Sequence, residues 1–190
     1  NPHFLYNTLD TIVWMAEFND SKRVVEVTKS LAQYFRLALN QGHEQITLKD
    51  EIDHVRQYLF IQKQRYGDKL QYEIEEDESI ADYKLPKLVL QPLVENAIYH
   101  GIKEIDRQGM IRVTSAAEEG QLILSIYDNG RGFELRDSTD MTLPRLGGVG
   151  LKNVDQRLRL QFGDDYHMEI QSEPDKFTRI SLYLPLVTDD

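Results

Sequence analysis

The 190-residue chain has no cysteine. That excludes a disulfide framework and a thiolate metal site, and it fits a reducing compartment. No apolar run approaches the ~20 residues that span a bilayer, and no signal-peptide pattern opens the chain. Positive charge is scarce beside negative: 22 Lys and Arg stand against 32 Asp and Glu, for a net charge of −10. So acidic a chain is a poor match for a phosphate backbone, and no nucleic-acid partner is expected. A nucleotide remains allowed, because Mg²⁺ can mediate between acidic protein and anionic phosphates. His43, His54 and His167 lack a second ligand at metal spacing, so no structural metal is expected. Internal repeats and low-complexity tracts are also missing, as is an initiator Met before Asn1, which suggests a fragment of a longer protein.

What is present, 41% hydrophobic residues over this length, can bury one good core or two modest ones. The first third has helical rhythm. Leu5, Leu9, Ile12 and Ala16 form one stripe, and "NDSK" breaks it with Asp20 or Ser21 as N-cap. Val24, Val27, Leu31, Tyr34 and Ala38 follow at 3-4-3-4 spacing, with Gly42 as the expected left-handed C-cap. Thr47 and Asp50 make a capping-box-like pair before Leu48, Ile52, Val55 and Leu59, a third helix stopped at "YGD". Three such stripes exceed what a short hairpin can cover, so a partner subunit, as in a homodimer, is expected.

After Gly67 the period changes. Leu70, Tyr72 and Ile74 alternate as in a strand, and "KLPKLVLQPLVENAIYHGI" reads as helix with Pro86 in its first turn and Pro92 as a kink or restart. A hairpin turning at Glu119-Gly120 follows, with Leu122, Leu124 and Ile126 on its second strand. "GFELRDSTDMTLPRLGG" has no period and reads as disorder or a functional lid. Leu151, Val154, Leu158 and Phe162 mark another helix before a closing hairpin. The division expected is a helical module at 1–66 and an α+β module at 67–190.

Three stretches of the second module share one chemical logic. "ENAIYHG" sets Asn96 and His100 on one helix face, the first a hard oxygen donor for Mg²⁺ and the second able to face a phosphate. "DNGRGF" ends a strand on the fixed acceptor Asp128, and Gly130 and Gly132 let backbone approach a flat ligand. "GGVGLKN" opens a helix whose amides can hold phosphates. Each alone is an ordinary turn, cap or buried amide; their order and spacing together are not ordinary.

Together these stretches resemble the N, G1 and G2 boxes of the Bergerat-fold ATP-binding domain, and "NPHFLYNTLDTIVWMAE" with "GLKNVDQRL" resembles the LytS/YesM-type sensor histidine kinases over essentially the whole chain. The resemblance implies an α+β fold: a helical dimerisation and phosphoacceptor module, then a Bergerat α/β sandwich with a mixed sheet covered by helices on one face. It implies ATP and Mg²⁺ as cofactors, with Asn96 on the metal, Asp128 on the adenine amine, Gly130 and Gly132 under the base, and Gly148, Gly150 and Leu151 of the G2 stretch beside the phosphates. His3 falls on the phosphate-accepting histidine, and a response-regulator receiver domain is the implied partner. The implied setting is the cytoplasmic part of a bacterial membrane protein, reaching the membrane only through its missing N-terminal part.

Imidazole suits that role, being nucleophilic near neutral pH, while Pro2 removes a backbone donor beside it. Asn7 lies one turn on, placed to orient a water or a phosphoryl oxygen. Many histidine kinases carry an acidic residue after the histidine; Phe4 stands there, which leaves the base unassigned, with Glu95 a candidate that could instead orient the pocket or a water. Tyr99 stands where many relatives have Lys, so His100 is the nearer phosphate contact. The expectation is therefore a histidine kinase core. The rivals are a Bergerat-fold ATPase or Ser/Thr kinase with an inert His3, and a non-catalytic degenerate kinase module.

Overall fold

The structure, a computed structural model, describes residues 2–39, 44–134 and 148–186. The expected cap at Gly42 and the expected lid beyond Glu134, with Arg145 and Leu146, lie outside the described residues, as does His43. Helices α1 (Pro2–Glu17), α2 (Ser21–Leu39) and α3 (Leu48–Tyr66) come first, with a short strand β1 (Gln45–Thr47) before α3. Then follow β2 (Leu70–Glu75), β3 (Lys84–Pro86), α4 (Leu90–Asn96), β4 (Gly109–Glu118), β5 (Gln121–Asp128), α5 (Gly148–Phe162), β6 (His167–Glu173) and β7 (Phe177–Pro185). Five strands form a sheet in the order β2-β4-β5-β7-β6, with β2 parallel to β4 and the other pairs antiparallel.

Local chemistry explains most boundaries. Asp20 caps α2 by accepting from Arg23 N at 3.2 Å, and Thr47 caps α3 by accepting from Asp50 N at 3.1 Å. Gly67, at φ 57°, ends α3 and donates back to Lys63 O. Glu119 and Gly120, both at positive φ, make the tight turn between β4 and β5. Burial alternates along those strands: Ile111, Val113, Leu122, Leu124 and Ile126 face the helices. The opposite face keeps Arg112, Thr114, Ser125 and Tyr127 partly wet, with Arg112 paired to Glu73 at 2.8 Å. The fold is thus mixed α and β, with a mixed sheet packed on helices on one face.

The fold departs from the sequence reading in three places. The buried stripe of α1 is Phe4, Thr8 and Met15, whereas Leu9 and Ala16 are exposed. Phe4 decides the rotation: its ring packs 4.9 Å from both Tyr34 and Tyr58, and such an aromatic outweighs the aliphatic stripe beside it. Thr8 is tolerated inside because its hydroxyl donates to Phe4 O at 2.8 Å. Second, Pro86 ends a strand rather than starting a helix. β3 pairs antiparallel with β1, Gln45 opposite Pro86, and helix begins only at Leu90, with Pro92 in its first turn. Leu88, at φ 60°, breaks the chain direction between them. Third, β1 itself is too short to leave a period in the sequence.

One continuous core joins Phe4, Tyr34 and Tyr58 to Leu93, Ile98, Leu124 and Leu182. Outside it, α1 and the turn after it leave Tyr6, Leu9, Val13, Trp14 and Phe18 exposed, and α2 leaves Val25, Phe35 and Leu39. The uncovered residues on α2, with Ala32, fall at heptad spacing one position after Val24, Leu31, Tyr34 and Ala38. No helix among the described residues is long and apolar enough to cross a membrane.

Candidate functional site

α4 leaves helical geometry in a wider turn over Ala97–Gly101, the kind of irregularity that recurs at functional sites. This turn brings Gly101 against the end of β5. A Cβ on Gly101 would sit 2.4 Å from Asp128 Oδ1, and one on Gly130 would sit 2.4 Å from the Gly101 backbone. Gly132, at φ 57°, would place a Cβ 2.0 Å from Glu173 O. All three positions therefore admit no side chain. Gly101 was not singled out from the sequence, although it closes the same "ENAIYHG" stretch; only the packing shows that it touches Asp128.

Asp128 is 3% exposed at the base of a cavity of about 740 Å³. It accepts from Gly130 N at 2.9 Å, and burial pushes its pKa up to about 7 against the pull of that hydrogen bond. Asn96, His100, Gly101, Gly132 and Thr178 line the same cavity. Thr178 sits opposite Asp128 on β7, a neighbour across strands that the sequence pattern does not reveal. Asn96 is buried, and its Oδ1 has no hydrogen-bond partner among the described residues. A buried orphan oxygen carries a desolvation cost of about 1–3 kcal/mol unless something else meets it. A hard cation suits that oxygen.

The loop that frames Asp128 is held rigidly. Asn129 Oδ1 accepts from Met110 N at 2.6 Å, and Asn129 N donates to Met110 O. Arg107 bridges two segments, donating to Asn129 O at 2.6 Å and Asp175 O at 3.0 Å. The base of the cavity is preorganised rather than waiting for a ligand to order it.

The remaining residues singled out from the sequence lie elsewhere. Gly148 and Gly150 open α5, and a Cβ on Gly150 would meet Pro92 Cβ at an ordinary 3.4 Å. Leu151 is buried in the core. Glu95 is half-buried and accepts from Gln91 Nε2 at 3.1 Å, and its charge adds to the burial that raises the pKa of Tyr34 and Tyr58 in the helical module. His3 is exposed at the start of α1, and Asn7 Nδ2 lies 3.0 Å from its Nδ1 and 3.2 Å from its Nε2. Asn7 therefore contacts the imidazole itself, not merely the space in front of it.

An acceptor buried under side-chain-free backbone can take a hydrogen bond from a flat amine-bearing molecule, and the orphaned amide oxygen that lines the same cavity can meet a donor or a cation. Residues 81–188 match the family model described as Histidine kinase-, DNA gyrase B-, and HSP90-like ATPase. The chain belongs to this ATPase family. Residues 1–70 match a second model, Histidine kinase. Among curated relatives, the sensor histidine kinase BtsS of Escherichia coli (strain K12) is 38% identical over 185 residues, covering 97% of this chain and 32% of that protein. The sensor histidine kinase YesM of Bacillus subtilis (strain 168) is 36% identical over 187 residues, again covering 97% and 32%. The chain thus spans about a third of the length of the curated relatives it matches. The histidine kinase domain from the Erythrobacter litoralis EL346 blue-light activated histidine kinase shares the fold, with a TM-score of 0.58 at 16% identity, covering 98% of this chain and 96% of that one.

Proposed function

We propose that the chain is the catalytic core of a two-component sensor histidine kinase, and that His3 takes the γ-phosphoryl group of ATP. The single observation that carries the site assignment is Asp128, buried against Gly101 and Gly130 where an adenine amine can donate to it and a flat ring can lie on bare backbone. Asn96 Oδ1 is the protein oxygen available to Mg²⁺, which would neutralise charge on the phosphates. Among the described residues no cluster of three or more His, Cys, Asp or Glu could hold a metal, so phosphate oxygens and water would complete its coordination. The opening amides of α5, from Gly148 through Gly150, are assigned to the phosphates, and His100 lines the cavity.

In the transfer, a ring nitrogen of His3 forms a bond to the γ-phosphorus as the bond from that phosphorus to the β–γ bridging oxygen breaks, and ADP leaves. The phosphoryl group then moves to an aspartate of a response-regulator receiver domain. Catalysis of this kind is mostly positioning and charge neutralisation. Asn7 Nδ2–H donates to the unprotonated ring nitrogen of His3 and so holds the imidazole in place. Glu95 is a candidate to take the ring proton, and its carboxylate accepts from Gln91 Nε2. We assign residues 1–66 to dimerisation and phosphotransfer and residues 67–190 to ATP binding. The exposed apolar stripes of α1 and α2 are the faces that would pair two copies, and the full-length protein is assigned to the bacterial cell membrane.

The test is incubation with γ-labelled ATP. The label should be lost in acid and kept in base, as for phosphohistidine, and His3→Gln should abolish it while nucleotide binding remains. Asn7→Ala should keep most labelling and lose any hydrolysis of the phospho-regulator, because that step needs a positioned water. An acid-stable label, or full labelling of His3→Gln, would overturn the assignment.

A further inference from the structure

Glu51 is the buried residue that the mechanism does not use. It sits in the first turn of α3 and is fully buried, yet its carboxylate reaches across to the turn that opens α4. One oxygen accepts from Leu88 N at 2.9 Å and the other from Leu90 N at 2.8 Å. α4 has no side-chain cap of its own, since Val89 occupies the N-cap position. Glu51 therefore supplies that cap from 39 residues upstream. Leu88 is held at φ 60°, a conformation that costs a non-glycine residue energy, and it aims the successive amides at one point.

The same turn is gripped from a third element. Arg157 of α5 donates to Lys87 O at 2.8 Å, and its charge also acts on Glu51. The backbone joins in: Lys87 N donates to Glu44 O, and Leu48 N to Tyr83 O at 2.8 Å. One short turn thus connects the start of α3, the helix that carries Asn96, and the helix that Gly148 and Gly150 open. α3 in turn packs along α2 and touches α1.

We propose that Glu51 is a positioning residue: it couples the placement of the helical module to the Asn96 helix and, with Arg157, to the α5 helix, so that a shift of α3 is felt at the phosphate end of the nucleotide pocket. This rests on the kinase reading above. The adenine end rests mainly on a different element, with Asp128 at the end of β5 and Gly130 just beyond it, while Gly101 alone continues from the Asn96 helix. Disturbing the turn should therefore separate turnover from nucleotide binding.

Glu51→Gln preserves shape but turns an NH₂ group toward one of the two backbone N–H donors, leaving that donor unpaired. Arg157→Ala removes only an exposed side chain, so it carries the test even where Glu51→Gln fails to fold. In the 1–190 chain, labelling rate at saturating ATP should fall about tenfold in Glu51→Gln, the size of one lost hydrogen bond, and several-fold in Arg157→Ala. Nucleotide affinity should stay within about threefold of wild type. Arg157→Lys should recover part of the rate, and the double variant should lose less than the product of the single losses, because both act on one turn. Amide hydrogen exchange at Leu88 and Leu90 should accelerate in Glu51→Gln.

Wild-type labelling rates in a folded Glu51→Gln would overturn the proposal. Equal losses of affinity and rate would also do so, since they would mark general destabilisation, and so would losses that simply multiply. Failure of the wild-type chain to label or bind ATP would instead overturn the kinase reading, and the exchange measurement would still report whether Glu51 holds the turn.

Discussion

Replacing Gly101 by Ala is the sharpest perturbation of the site. The added Cβ would lie 2.4 Å from Asp128 Oδ1 and 2.8 Å from Cγ, so contact is with the middle of a carboxylate and not the end of a flexible chain. Asp128 has little room to retreat. It is 3% exposed, Gly130 N holds Oδ1 at 2.9 Å, and Gly130 itself packs on Gly101. Overpacking of this kind costs about 1–3 kcal/mol, which for a domain of this size lowers Tm by roughly 2–12 °C. Displacing the acceptor should also forfeit a hydrogen bond to a charged group, about 1.5–3 kcal/mol, or roughly 10- to 150-fold in nucleotide affinity. Gly150→Ala is the control. Its Cβ meets Pro92 at 3.4 Å, and alanine in the first turn of α5 favours helix by up to about 1 kcal/mol, so Tm should hold or rise. Calorimetry with ATP and with adenosine would separate the two: Gly101→Ala should lose affinity for both, Gly150→Ala for the triphosphate alone. A Gly101→Ala protein that binds adenosine like wild type would refute the packing argument.

Asn96→Ala should remove the orphan oxygen, weaken ATP binding in Mg²⁺ about tenfold, and leave adenosine affinity unchanged; equal effects on both ligands would remove the metal from Asn96. His54 is buried and stacked 4.3 Å from Tyr34, with no hydrogen bond to either ring nitrogen among the described residues, and burial pulls its pKa down to about 4. Its stability contribution is complete above the unfolded value near 6.5 and is lost as pH falls through about 4, so His54→Phe should flatten the fall in Tm across that window; parallel curves for the two proteins would refute it. Val13→Glu with Phe35→Glu should turn a dimer into a monomer in sedimentation at unchanged helicity, because both side chains are exposed on the proposed interface. Unaltered self-association would place the interface elsewhere.

The parts of this protein legible in its sequence are those whose causes are local. α2, α3 and the β4–β5 hairpin announce themselves through side-chain period, Asp20 and Thr47 as caps, Gly67 as a stop and Glu119-Gly120 as a turn. The glycine-bearing stretches around Asn96 and Asp128 were legible too, because their spacing is unusual as a set. What escaped was set by partners distant in the chain. α4 begins at Leu90 and not at Pro86 because Glu51 supplies its cap and β1 claims Pro86 as a strand partner. α1 turns its Phe4 face inward because Tyr34 and Tyr58 wait there.

By itself, then, the sequence determined most of the helices and the longer strands and which residue types can meet an adenine, a metal or a phosphate, since period, capping and side-chain chemistry are properties of neighbours along the chain. Only the tertiary structure decided that Gly101 must be bare because Asp128 lies against it, that Asn96 Oδ1 is left unpaired, and that one carboxylate on α3 opens the helix that carries Asn96. The first and last are contacts between residues 27 and 37 positions apart, and all three depend on how buried groups exclude one another and find partners, which no window of sequence contains.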